Sequence, residues 1–199
     1  MVLSLQAWAA DDSTLLGEIL TTELDDYSEF YSATNMLYLG GGLAAGALLA
    51  NTSADRSIRD WYQNDVRSGG TDKFAKSAKL FGEGAIAGPV FVAASLTGLI
   101  GDDNPVTSAI GEWGNRSLRS VLVGGPPMLA FQLVLGSGRP SDGVDSDWAP
   151  FKQDNGVSGH AFIGAIPFLS AAEMVDNRAV KPLLYAGSTL AGLSRVNDD

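Results

Sequence analysis

The chain has 199 residues, enough for one domain with a real core. It is 45% hydrophobic and 18% charged, which excludes a disordered polyelectrolyte, and its 23 acidic against 13 basic residues give a net charge of −10, which argues against a general nucleic-acid binder. Cysteine is absent, so disulfides and thiolate chemistry are excluded, though the compartment is not fixed.

Residues 1–9 are apolar and end Ala7-Trp8-Ala9, with Asp11 and Asp12 following at once. This reads as the remnant of a secretory signal peptide without its basic start, the alternative being a frayed tail. A single domain is expected over 10–199. Thr14 to Leu24 predicts a helix in an acidic stretch. Met36 to Ala50 is apolar and rich in Gly and Ala, and Asn51 stops it. Ser57 to Val66 predicts a short helix with Ile58, Trp61 and Tyr62 on one side, as core or interface. Ser68-Gly69-Gly70 reads as a turn, and Lys73 to Phe81 as the start of another helix.

Gly84 to Ile100 is an apolar run without a charge. Asp102-Asp103-Asn104-Pro105 is a helix start, with Asn104 as N-cap and Pro105 in the first turn. That helix is expected to run to about Val123, where Gly124-Gly125-Pro126-Pro127 breaks it, and a further helix covers Pro127 to Leu135. A polar loop, Ser141 to Gly156, leads to a helix opening at Ser158-Gly159-His160 and continuing through the apolar run Ala161 to Ala172. Pro182 to Leu193 is the last apolar run. No stretch alternates apolar and polar residues between hairpin turns, so strands are not expected and the fold class is all-α, a single helical bundle. Glycine numbers 24, and many lie inside apolar runs, which suggests close helix approach.

The apolar runs are shorter than the roughly 20 residues a spanning helix needs, and the mean hydropathy is only +0.09. A soluble or peripheral bundle is the expectation, in an exported chain that is periplasmic or membrane-associated.

Three stretches carry groups suited to phosphate. Arg139 precedes Pro140 at the start of a loop. Ser158 and Gly159 open a helix, whose N-terminus offers amide donors and the positive end of a dipole, and His160, the only histidine, sits beside them as proton donor. Arg195 follows Ser194 after the last apolar run. Two arginines can each grip phosphate oxygens bidentately, and together with the amides they would hold a phosphoryl group in transfer. The bland alternatives are a histidine satisfied at a helix start and arginines in surface ion pairs.

The order Arg-Pro, Ser-Gly-His, Ser-Arg resembles the signature of the phosphatidic acid phosphatase type 2 and vanadium haloperoxidase superfamily: Lys-x6-Arg-Pro, Pro-Ser-Gly-His and Ser-Arg-x5-His-x3-Asp. The resemblance covers Gln132 to Asp199. It implies a helical bundle of that type and hydrolysis of a phosphomonoester, lipid or soluble, through a phosphohistidine, with no cofactor. It makes His160 the general acid and Arg139, Ser158, Gly159 and Arg195 the phosphate ligands. Departures are specific. The lysine position holds Gln132, which can donate a hydrogen bond but brings no charge, and which is otherwise packing beside the site. Val157 replaces the proline. The nucleophilic histidine falls two positions beyond Asp199, which reads as truncation before the closing helix, or else as a pseudoenzyme, and leaves the chain inactive as given. The alternatives are a vanadium-dependent haloperoxidase, with vanadate in the phosphate site, and a non-catalytic helical module that binds phosphate or serves structure. The expected partner is a phosphate ester or inorganic phosphate; no nucleic acid and no metal are expected, and membrane association is open.

Overall fold

The computed structural model describes residues 22, 24–100, 104–138 and 147–198. The signal-peptide remnant, most of the Thr14 to Leu24 helix, Asp102-Asp103 and Arg139-Pro140 lie outside the described residues. Among the described residues every regular element is helical and no strand occurs, as the absence of alternating runs predicts. Eight α-helices have defined bounds there: α1 Ala33–Ala50, α2 Ser53–Trp61, α3 Gly69–Lys79, α4 Gly84–Ile100, α5 Pro105–Leu135, α6 Gly159–Ala172, α7 Val180–Gly187 and α8 Leu190–Asn197. A π turn, Tyr62–Val66, extends α2, and a 3-10 turn, Leu80–Gly82, links α3 to α4.

Contacts divide the chain into two units, one ending at Leu43 and one from Ala44 to Asp199. In the first, residues 24–30 are helical and Asn35 donates to the Glu29 carbonyl at 2.8 Å. The second holds the rest.

The second unit is built on an antiparallel hairpin of α4 and α5. Gly98 lies against Gly111, and Gly114 against the backbone of Ala94 and Ser95. Small residues let two backbones approach closely. Phe91 and Trp113 meet edge to face with centroids 5.6 Å apart, and Ala87, Phe91 and Ile166 form the buried cluster. Trp113 Nε1 donates to the Pro167 carbonyl at 2.8 Å, which joins α5 to α6. Helix α8 packs on α6, with Gly164 facing Ala191 and Ala161 facing Gly192.

Three expectations change. The sequence Gly124-Gly125-Pro126-Pro127 does not break α5, which is continuous over 31 residues. Proline disfavours helix through its missing N–H, its clash with the carbonyl four back and its clash with the preceding residue; Gly125 has no Cβ to meet Pro126, which removes the last of these there but not at Pro127. Ser68-Gly69-Gly70 is a capped helix start, not a turn: Ser68 Oγ accepts from Thr71 N, and Thr71 Oγ1 accepts from Ser68 N. The last apolar run is two helices, because the Ser188 and Thr189 hydroxyls bond back to the carbonyls of Tyr185 and Ala186 at the junction. Asn104 caps α5 through Val106 N with Pro105 behind it, as expected. Of the face Ile58, Trp61 and Tyr62, Ile58 and Trp61 are exposed and Tyr62 is half-buried.

Two helices, Ala33–Ala50 and Pro105–Leu135, are long and apolar enough to cross a membrane. At about 1.5 Å per residue α5 spans roughly 45 Å, more than the ~30 Å hydrocarbon core. The expectation of runs too short to span is thereby corrected. Its cause is the two breaks assumed in the sequence, at residue 36 and at Gly124-Gly125-Pro126-Pro127. Large apolar side chains face outward on these helices, including Leu37, Tyr38, Leu48, Leu122, Leu129 and Leu133.

The end of α8 is pinned by a polar network. Asn197, 3% exposed, donates to Asp72 Oδ1 at 2.9 Å, and its own Oδ1 accepts from the Tyr62 hydroxyl at 3.0 Å. Arg67 Nε donates to the same Asp72 oxygen at 3.0 Å. The hydrogen bond from Asn197, then that from Arg67, holds the Asp72 carboxyl below the usual carboxylate range. A depressed carboxylate contributes stability above its unfolded pKa and loses it as the pH falls through the folded value, so acid weakens the hold on this end of α8.

Candidate functional site

The site expected from sequence lies at the start of α6. Its position is set by the end of α5. The last carbonyls of a helix lack intrahelical donors, and here the following loop supplies them. Phe151 N donates to the Leu133 carbonyl at 3.0 Å, and Gly156 N and Gly136 N both donate to the Gln132 carbonyl at 3.2 Å. Gly136 has φ +54, and a Cβ there would run into the Ala149 carbonyl. Trp148 N donates to Asn51 Oδ1 at 2.8 Å, which ties the loop to the end of α1.

This loop sets Ser158 beside Gln132. Gln132 Nε2 donates to the Val157 carbonyl at 3.2 Å, and a Cβ on Gly159 would stand 3.2 Å from that nitrogen. Ser158, with φ −86 and ψ 106, is the N-cap of α6, and its Oγ accepts from Ala161 N at 3.2 Å. The amides of Gly159 and His160 occupy the first turn, where no intrahelical acceptor exists. Positions from two of the three motifs, Gln132 and Val157 to Gly159, therefore meet.

His160 is held from the other side. Its Nε2 stands 2.7 Å from the Lys79 carbonyl. A carbonyl only accepts, so Nε2 carries a proton and Nδ1 is the nitrogen left to exchange one. The ring packs against Gly82, where any Cβ would collide with its Cγ, its Cδ2 and the His160 carbonyl.

Arg195 sits one turn beyond Gly192 in α8. Gly192 itself faces Ala161 in the first turn of α6. Its Nη1 donates to Asp198 Oδ2 at 3.0 Å, and Lys79 Nζ donates to the same oxygen at 2.6 Å. Ser194, the other residue of that motif, is 1% exposed and its Oγ donates to the Ala191 carbonyl at 2.7 Å, a packing role. Arg139 lies outside the described residues.

Lys79, Gly82 and Asp198 are the residues the motifs do not flag. Lys79 joins the set twice, by its carbonyl to His160 and by its ammonium to the Arg195 partner. No spacing signal marks it, because its contacts are 81 and 119 residues away in sequence. Among the described residues no group of three or more His, Asp or Glu side chains could hold a metal ion. No family model, curated protein or solved structure matches the chain. The resemblance to the phosphatase superfamily rests on the short sequence motifs alone.

Proposed function

We propose that this chain binds a phosphate ester at the start of α6, as part of a phosphatase site of the phosphatidic acid phosphatase type 2 kind. The observation that carries the reading is convergence: Gln132, the Ser158-capped first turn and His160 meet at one helix N-terminus, and Gly192, one turn before Arg195, faces Ala161 in that first turn. Amide donors and the helix dipole suit an anion there, and Arg195 supplies fixed charge. The Lys79 carbonyl orients the imidazole and keeps Nε2 protonated. A protonated ring then offers its Nδ1 proton to a leaving oxygen, as a general acid does. Binding and leaving-group protonation are what is proposed for these 199 residues.

Calorimetric titration with inorganic phosphate, and separately with orthovanadate, tests the reading. Binding by the wild-type chain is expected, weakened about tenfold or more by Arg195→Gln and by His160→Gln, since a charge-assisted hydrogen bond contributes about 1.5–3 kcal/mol. A wild-type chain that binds neither anion would refute it. A second reading has its own support: His160 bonds a backbone carbonyl and packs on Gly82, as a purely structural histidine would. In that case His160→Gln lowers the melting temperature and leaves anion affinity unchanged.

We also infer a membrane location. The two long apolar helices and their outward leucines support it. Expressed in cells, the chain is expected to stay in the membrane pellet through alkaline carbonate washing. Release into the wash would count against insertion.

A further inference from the structure

The phosphate reading leaves a charge deficit. Gln132 stands where a lysine would contribute a cation, and its amide is turned to the Val157 carbonyl. A lysine approaches from another direction. Lys79 ends α3, and its Nζ reaches Asp198 Oδ2 at 2.6 Å, while Arg195 Nη1 reaches the same oxygen at 3.0 Å. Two cations from elements far apart in sequence thus meet at one anionic oxygen. The packing of α3 on α8, fixed by Asn197 between Asp72 and Tyr62, holds them there. The Lys79 carbonyl meanwhile holds His160, so the ammonium and the imidazole stem from one residue and its hydrogen-bond partner.

We propose that Lys79 and Arg195 form a two-cation clamp for the phosphoryl group, and that Asp198 is an internal carboxylate which occupies the clamp until phosphate displaces it. This rests on the phosphate-binding reading given above. The three side chains are open to solvent, with exposures of 41% for Lys79, 40% for Arg195 and 27% for Asp198, so a dissolved anion can reach them. Ion pairs this exposed are weak and readily exchanged. A phosphate dianion brings more charge and more acceptor oxygens than one carboxylate, and it suits the forked guanidinium of Arg195 together with the point charge of Lys79. Two cations against one carboxylate leave a net positive charge to attract it.

The test is phosphate titration of the full 199-residue chain and its variants by calorimetry. Asp198→Asn is expected to tighten binding about five- to tenfold, because the competitor is gone. Lys79→Gln is expected to weaken it about tenfold, and Lys79→Arg to restore most of the loss. Substitution at Lys79 leaves its carbonyl, and so the hold on His160, in place. A gain of affinity in Asp198→Asn cannot come from misfolding, which keeps the proposal testable if Lys79→Gln proves unstable. The clamp is overturned, with the phosphate site intact, if Asp198→Asn and Lys79→Gln bind like wild type while Arg195→Gln does not, or if Asp198→Asn binds more weakly. If neither wild type nor Asp198→Asn binds phosphate, the phosphate reading itself falls.

Discussion

Gly114→Val will separate helices α4 and α5. A Cβ at position 114 would overlap the amide nitrogen of Ser95, and it would lie 2.7 Å from the carbonyl carbon of Ala94 and 2.8 Å from its Cβ. Two of these three atoms are backbone inside a helix, so no rotamer change makes room. Relief requires the two helices to move apart, which also opens the Gly98–Gly111 contact and the Phe91–Trp113 pair. Overpacking typically costs about 1–3 kcal/mol, and a rigid neighbour puts alanine here near ~3 kcal/mol and valine beyond it. For a chain of this size that lowers the melting temperature by on the order of 10 °C. Thermal unfolding in detergent, followed by circular dichroism, measures it. Gly98→Ala should be milder, since its methyl meets Gly111 Cα at 3.3 Å and the Gly111 carbonyl carbon at 3.8 Å. Equal melting temperatures for Gly114→Val and wild type would refute the close crossing.

Gly82→Ala will damage fold and site together. The new methyl would stand within 2.7 Å of His160 Cγ and collide with the His160 carbonyl as well. Turning the imidazole away relieves the first clash and not the second. The start of α6 must therefore shift off the 3-10 turn, and the bond from His160 Nε2 to the Lys79 carbonyl goes with it. Gly164, one turn further along the same helix, also packs against the Gly82 backbone, so the shift must part the turn from both contacts. The expected cost is about 3 kcal/mol, with at least a tenfold loss of phosphate affinity. Gly84→Ala, two residues on and with nothing within 4 Å of its added methyl, is the control and should behave as wild type. Thermal unfolding and phosphate titration of the pair decide the matter: indistinguishable Gly82→Ala and Gly84→Ala proteins would contradict the packing described.

Local signals read well from the sequence, and tertiary ones did not. Gly84–Ile100 and the Asn104-Pro105 start were legible because an uncharged run and a cap are written in adjacent residues. The continuity of α5 was not, since whether Pro126 and Pro127 end a helix depends on how the surrounding turns accommodate their rings. The motifs marked Gln132 and Ser158-Gly159-His160 as parts of one candidate site, and the structure brings Gln132 beside Gly159. Lys79 and Asp198 were illegible: an ion pair across 119 residues leaves no mark in either neighbourhood. The hold on His160 is harder still to read, because a backbone carbonyl has no letter of its own.

The crossing of α4 and α5 has a thermodynamic consequence. Beside Phe91, which meets Trp113, the groups it hides are small, Ala94, Gly111, Gly114 and Ser117, while Val90, Val92, Leu96, Val106 and Ile110 face outward. Heat capacity rises on unfolding in proportion to the apolar area newly exposed, and glycine and serine expose little. Separation of the small-residue stretch of this hairpin, Ala94 against Gly111 to Ser117, therefore adds little to the heat-capacity change, and the aromatic pair supplies most of it. The cohesion of that stretch comes from the density of close contacts, so cooling does not weaken it in the way it weakens a core of leucines.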